Sequence, residues 1–250
     1  MSKFLGWRTQ SRIAEGYTSA ISNILSSDDN FNNFRHNKSG YTPILEHLNQ
    51  NDGLIYGNYV KTNYPEMMKM VDSFKKNDSI GNPLTFNYDS FGDINPTTLR
   101  YIKFAGDIKK RFGDLTDYNL VEIGGGYGGL VRVLTELYVF KSIKMFDLPE
   151  ALKLQKKYLN EFDINVETYT HEDEFNIDKK TLVISNYAWC ECDIPTRQLY
   201  VDEIISKCEL GYMVVYDVNI DKELMSLDGE KFLEKEILNT CQIFTLKNNG

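Results

Sequence analysis

Leu120-Val-Glu-Ile-Gly-Gly-Gly-Tyr-Gly-Gly-Leu130 is the stretch whose reading decides the fold. Leu120, Val121 and Ile123 make a short apolar strand, the glycines break it, and Leu130, Val131, Val133 and Leu134 resume at helical spacing. Gly124, Gly126 and Gly128 allow positive φ and a close approach of the backbone to a ligand, because no Cβ stands in the way. The helix that follows turns its free N–H groups and the positive end of its dipole toward the same point. Strand, glycine turn and helix N-terminus together predict a cradle for a nucleotide or nucleoside.

Gly124-x-Gly126-x-x-Gly129 also fits the dinucleotide fingerprint, and that match by itself says little. Glu122 separates the two readings. A dinucleotide-binding strand usually carries an apolar residue two places before the first glycine, whereas a carboxylate at the end of a strand suits a cationic ligand. The pattern acidic-x-Gly-x-Gly-x-Gly resembles motif I of the class I S-adenosylmethionine (SAM) methyltransferases, in which that carboxylate faces the amino-acid end of a sulfonium cofactor. The second strand, Ile143–Asp147, ends in an acid placed to accept hydrogen bonds from ribose hydroxyls, although Asp147 could also cap the helix opening near Pro149.

From Asn119 onward strands alternate with helices, which predicts an α/β Rossmann-like sheet covered on both faces. A third strand spans Asn165–Thr170, followed by His171-Glu172-Asp-Glu174, where an adenine amino group would be met or where the loop is simply solvated. The fourth strand, Thr181–Tyr187, runs into Ala-Trp-Cys-Glu191, and Pro195 opens a helix. A fifth strand covers Gly211–Asp217. One charged helix from Lys231 to Leu238 and one strand from Cys241 to Leu246 then close the chain. Methyltransferase sheets generally finish with two antiparallel strands, so this end reads as abbreviated.

Upstream, Asn95 as N-cap and Pro96 in the first turn open a helix with Leu99, Ile102, Ala105, Ile108 and Phe112 on its apolar face, and Gly113 closes it. Residues 1–94 read as a mainly helical N-terminal extension or lid, and residues 95–250 as the SAM-binding domain. Within the extension, Ile44, Leu45 and Leu48 form one apolar stripe and Met67, Met70, Val71 and Phe74 another, both read as packing. Phe31, Phe34, Tyr41, Tyr56, Tyr59, Tyr64, Phe86, Tyr88 and Phe91 suit either a ligand with apolar faces and polar edges, such as a sugar, or the packing of a half-buried lid.

The 250 residues carry a net charge of −8 and a pI near 5.0, which argues against a nucleic-acid backbone or an anionic membrane as partner. The start of the chain has no long apolar run, and no other stretch reaches the ~18 apolar residues of a membrane span. These features predict a cytoplasmic protein without membrane insertion. Four cysteines, two of them at Cys190 and Cys192, make no CxxC pair and read as reduced side chains.

Several separated pieces converge on one family. Asn82-Pro83, Pro96-Thr-Thr-Leu-Arg-Tyr101, the glycine stretch, Phe146-Asp-Leu-Pro-Glu150 and Ser185-Asn-Tyr-Ala188 with Glu191 together resemble the sugar O-methyltransferase family of bacterial surface-polysaccharide gene clusters. The resemblance runs from about Phe31 to about residue 218, with Trp-Cys-Glu where Phe-Ser-Glu is expected after Ser-Asn-Tyr-Ala. It implies that Glu122, Gly124, Gly126, Gly128, Asp147 and Leu148 hold SAM, with Asn186 beside its methionyl part, Arg100 on its carboxylate, and His171 and Glu172 near the adenine. It implies transfer of a methyl group to a hydroxyl of an activated, nucleotide-linked or phosphorylated sugar or a related capsule or lipopolysaccharide precursor.

Glu191 at the rim and then His47 are the candidate bases, with His36 a further candidate in the extension. Asp217 and Asn219 resemble the metal positions of magnesium-dependent O-methyltransferases, but no acid ends the fourth strand, so metal-independent transfer is expected. An NAD(P) reductase, a methyltransferase of another small phosphorylated metabolite, and a non-catalytic SAM-binding subunit stand as alternatives. A homodimer remains open.

Overall fold

The computed structural model describes residues 12–36, 41–216, 222–238 and 241–248. Its first part is helical, with α1 (Arg12–Leu25), α2 (Asp28–Asn32), α3 (Thr42–Leu45), α4 (Gln50–Asn63), a 3₁₀ turn at Pro65–Met70 and α5 (Val71–Lys75). A hairpin of β1 (Phe86–Tyr88) and β2 (Gly92–Ile94) leads into α6 (Pro96–Phe112). Side-chain caps set the helix starts. Asn49 accepts from the backbone of Asn51 and Asp52 while the Asp52 carboxylate takes the Asn49 N–H, and Asn95 accepts from Thr97. Gly113, at φ 77°, takes the left-handed residue that ends α6.

Strands and helices then alternate as β3 (Asn119–Ile123), α7 (Gly129–Leu134), β4 (Ser142–Phe146), α8 (Pro149–Asn160), β5 (Glu167–Tyr169), β6 (Thr181–Asn186), α9 (Ile194–Glu203), β7 (Leu210–Tyr216) and α10 (Lys222–Met225), before β8 (Glu230–Lys235) and β9 (Cys241–Lys247). The sheet order is β5-β4-β3-β6-β7-β9-β8. The first five strands are parallel, and β9 enters antiparallel between β7 and β8. Every residue of β3 is buried, with Leu120 in the core cluster on one face and Val121 in the cluster on the other. That is the signature of a central strand covered on both sides. The chain leaves β3 toward β4 and β5, then crosses back to β6, so a crevice opens between β3 and β6 at their carboxyl ends.

The expected charged helix at 231–238 is instead strand β8 followed by a turn. Register decides this, since Lys231, Leu233 and Lys235 pair with Leu246, Phe244 and Gln242 of β9, whose Ile243, Phe244 and Leu246 are buried. Non-local pairing overrides local helix propensity here. The sheet therefore has both antiparallel closing strands, and its end is not abbreviated. Charges at Glu230, Lys231, Glu234 and Lys235 protect β8 as an edge.

Residues before Asn95 share one apolar cluster with the sheet, from Ile21 through Tyr56 and Phe74 to Leu120 and Val214. A polar knot runs through that cluster. Arg35, 1% exposed, donates to Glu46 at 2.6 Å, to Asp78 at 3.2 Å and to the Asn77 carbonyl at 2.5 Å. Its guanidinium lies 4.8 Å from the ring centre of Tyr127, inside the glycine stretch. Asn77 in turn donates to Thr98 and receives the Tyr158 hydroxyl. Among the described residues, no helix is long and apolar enough to cross a membrane.

The knot makes a prediction about stability. Asp78 keeps donors from Asn95 and Thr98, but Glu46 is 2% exposed and its Oε2 has no hydrogen-bond partner, so removing Arg35 strands a buried charge. Arg35→Met should lower the free energy of unfolding by about 3–5 kcal/mol in urea titration. Lys61→Met, at the exposed pair with Asp89, should leave the urea midpoint nearly unchanged.

Candidate functional site

A cavity of about 560 Å³ occupies the crevice between β3 and β6. Gly124 and Gly126, at φ 72° and 59°, bring the backbone of the β3 turn to its edge, with Asp147 and Leu148 beside them from the end of β4. Asn186 at the end of β6, with Tyr187 and Ala188 after it, lines another side. Ser185 holds that corner by donating to the Ile123 carbonyl at 2.9 Å while its hydroxyl oxygen accepts the Trp189 N–H. Tyr187 sits at φ 69°, a left-handed conformation rare for a bulky side chain, and its N–H is fixed on the Val214 carbonyl at 2.8 Å. Such strain persists only where the surroundings hold it.

The extension supplies the opposite side through Tyr17 of α1, Ile44 and Leu45 of α3, and His47 and Leu48 just after it. Tyr56, Arg100, Leu238 and Cys241 also line the space. Tyr56 donates at 2.9 Å to Glu236, a buried carboxylate that also accepts the Leu238 N–H at 3.0 Å. The stripe Ile44, Leu45 and Leu48, which reads as packing in the sequence, is thus cavity wall, whereas Met67, Val71 and Phe74 are core.

Two kinds of uncompensated polar group meet at this cavity. Arg100 is 5% exposed, its Nε has no hydrogen-bond partner, and its guanidinium lies 5.3 Å from the Tyr187 ring centre. Asn186 buries both amide atoms without partners. Buried polar groups are ordinarily satisfied, so orphans facing a cavity mark where a ligand's polar atoms belong.

The carboxylates tell a complementary story. Asp147 accepts from Leu148 N–H at 2.8 Å and Gln155 at 2.7 Å, and also from Gly125 N–H. It does not cap α8, whose N-cap is Leu148. Burial nevertheless pushes its pKa up to about 7. Glu122, 3% exposed, does not line the cavity. It lies beneath the turn, so close to Gly125 that a Cβ there would come within 2.6 Å of Oε2. Burial, and then the charge of Asp147, push it up to about 8. Gly128 likewise faces inward, starting α7 at φ 94° against Leu159.

Of the candidate bases, Glu191 and His47 both line the cavity, at exposed positions on its rim. His47 Nδ1 lies 3.0 Å from the Ile44 carbonyl, which requires the proton on Nδ1 and leaves Nε2 as the basic lone pair. Partial burial and then the Arg100 charge lower its pKa, so the imidazole is neutral near pH 7. His36 is exposed and away from the lining residues. His171 and Glu172, 3.9 Å apart, also stay outside the lining, in a turn closed by Asp173 on Thr170. Asp217 and Asn219 lie outside the described residues. Tyr17, Tyr216, Leu238 and Cys241 join the site without a motif to announce them, and Tyr187 joins it from within Ser185-Asn-Tyr-Ala188.

Five parallel strands closed by two antiparallel ones, with helices on both faces and the cavity at the carboxyl ends, make a Rossmann-like fold of the class I methyltransferase kind. No protein-family model and no curated protein sequence matches the chain. Among solved structures, it is similar to Thermoplasma acidophilum protein 1320, with 15% identity over 61% of this chain and 90% of that one and a TM-score of 0.46. It is also similar to an rRNA methylase from Streptococcus thermophilus, with 18% identity over 53% and 87% of the two chains and a TM-score of 0.42. A third is the N-methyltransferase NodS from Bradyrhizobium japonicum, solved with S-adenosyl-L-homocysteine, with 11% identity over 60% and 85% and a TM-score of 0.44. At this level of likeness neither substrate nor activity carries over.

The buried carboxylates predict a pH dependence. Both have folded-state pKa values raised above the ordinary ~4 of the unfolded chain. The native state therefore holds more protons between about pH 4 and 8, and its stability is full below that window and falls as pH rises through it. Glu122→Gln should flatten the fall and raise the urea midpoint above wild type at pH 8. A wild-type midpoint independent of pH across the window would show that Glu122 ionises freely.

Proposed function

We propose that the chain is a SAM-dependent O-methyltransferase whose acceptor is a hydroxyl of a sugar, an activated one within surface-polysaccharide precursor synthesis. The observation that carries the reading is the meeting of a glycine cradle, Asp147 and the orphaned polar atoms of Arg100 and Asn186 around one cavity. These groups fit the cofactor's chemistry. Asp147 and the adjacent Leu148 would take the ribose, Gly124 and Gly126 would admit the chain joining it to the amino acid, Asn186 would bond the methionyl part, and Arg100 would pair with the carboxylate. Charge-assisted bonds of this kind contribute ~1.5–3 kcal/mol each. Glu122 would act from beneath, its carboxyl steadying the turn.

When bound, SAM supplies a methyl group on a positively charged sulfur. The chain's own task is to hold the acceptor oxygen in line with that methyl group, an alignment able to supply ~7–11 kcal/mol of the barrier. The transfer would release the acceptor hydroxyl's proton, which a base of the chain has to take. Glu191 and the Nε2 of His47 are the two rim groups able to take it, and a base contributes ~10²–10⁴-fold. The described helices before Asn95 would act as the cover that keeps water from the reaction.

Isothermal calorimetry with SAM and S-adenosylhomocysteine tests the cofactor. Asp147→Ala should weaken both by about tenfold or more, and undiminished affinity would remove the assignment. Glu191→Gln should preserve that affinity while cutting turnover by ~10²-fold, and a rate within a few-fold of wild type would take Glu191 out of proton transfer.

A further inference from the structure

The charge inventory of the cavity limits what can enter beside the cofactor. Among the described lining residues the charged side chains are Arg100, Asp147 and Glu191. His47 is biased toward its neutral form, since partial burial and then the Arg100 charge lower its pKa even though its hydrogen bond to the Ile44 carbonyl works the other way. On the reading above, on which this inference rests, Arg100 is matched by the carboxylate of SAM and Asp147 by the ribose. What remains for the acceptor is Glu191 together with Leu48, Tyr56, Tyr187, Tyr216 and Leu238.

This remainder is hostile to an anion. A phosphate brought in here would lose water, meet no unmatched cation among the described lining residues and face the Glu191 carboxylate. It is well suited to a flat ring. Tyr187 and Tyr216 stand with ring centres 5.8 Å apart and planes tilted by 43°, one anchored by its backbone and by Arg100, the other 49% exposed. Aromatic faces of this kind pack against the apolar face of a ring, while Glu191 offers a polar partner for a ring hydroxyl. The Tyr56 hydroxyl is already engaged, as donor to Glu236 and in a hydrogen bond with Tyr187, so it braces the Tyr187 ring against which the ligand would pack.

We infer that the acceptor enters as an uncharged, hydroxylated ring seated against Tyr187 and Tyr216, and that any phosphate or nucleotide it carries stays outside the cavity. Both a phenol and a sugar ring have this chemistry, and the probes below distinguish them.

The experiment uses the full chain saturated with S-adenosylhomocysteine. Calorimetry first shows that this product binds, and failure there sinks the proposed function rather than the inference. Saturation-transfer NMR on the complex then compares phenol, catechol and methyl α-glucopyranoside with glucose 1-phosphate and uridine diphosphate, each at millimolar concentration. The expected result is transfer to at least one neutral ring, weakened roughly two- to tenfold in affinity by Tyr216→Ala, with S-adenosylhomocysteine binding unchanged. Phenol and catechol responding without the glucoside identifies a phenolic acceptor, and the reverse a sugar. Transfer to glucose 1-phosphate or uridine diphosphate in preference to every neutral ring, or no transfer to any neutral ring, overturns the inference. So does neutral-ring binding that Tyr216→Ala and Leu48→Ala both leave unaltered, because the ring would then sit elsewhere.

Discussion

Two carboxyl groups buried side by side at the ends of neighbouring strands impose the constraint around which the site is arranged. Glu122 stands opposite Met145 in the register of β3 and β4, and Asp147 follows β4 directly. Neither has a cationic partner, and Glu122 Oε2 has no hydrogen bond at all. The fold offsets the cost with neutral donors: the N–H groups of Gly125 and Leu148 and the amide of Gln155 reach Asp147, and Gln155 also donates to the Gly126 carbonyl at 3.2 Å. One side chain of α8 thus ties the second strand's acid to the first strand's turn. A substituent at Gly125 would strike the Glu122 carboxylate, so the absence of a Cβ there serves packing beneath the turn as well as access above it.

The same turn is held from its outer side by residues that precede the sheet. Arg35 lies against Tyr127, and its ion pair with Glu46 fixes the segment that presents Leu45, His47 and Leu48 to the cavity. Gly81, at φ 84°, makes room for this arginine: an added Cβ would lie 2.8 Å from its Cγ. Buried ion pairs add little net stability against an apolar alternative, but they penalise any arrangement that leaves one member alone. The knot therefore selects one placement of the covering segment over the cradle.

Much of this was legible in the sequence because the signals are local. The glycine stretch, the Asn95-Pro96 opening and the Gly113 stop of α6, and the apolar parallel strands all depend on neighbours a few residues away. Strand β8 was not legible, since Glu230–Lys235 sets Phe232 and Leu233 side by side between pairs of charges, which fits a helix turn until β9 presents its edge. Tyr17, Tyr216 and Leu238 were hidden for another reason. An aromatic or leucine carries the same periodicity whether its face meets the core or a cavity, and only topology distinguishes them. His171 and Glu172 were overweighted by their place after a strand, because the loop folds onto its own Asp173 instead of turning inward.

The site's dependence on distant segments follows from the switch-point geometry. The sheet contributes the glycine turn, Asp147 and Asn186, yet it leaves the crevice open on the side that α1, α3 and Leu238 after β8 close. Tyr56 joins the last of these to α4, in which it stands, by donating to Glu236 after β8, 180 positions away in sequence. Its ring faces the cavity and its hydroxyl pins the carboxylate that in turn holds the Leu238 N–H. The side of the cavity lined by Tyr56 and Leu238 is consequently formed only when the first helices and the last two strands are both in place. That side of the cavity is therefore a property of the completed fold, whereas the cradle and Asp147 belong to one continuous stretch of sequence from β3 through α8.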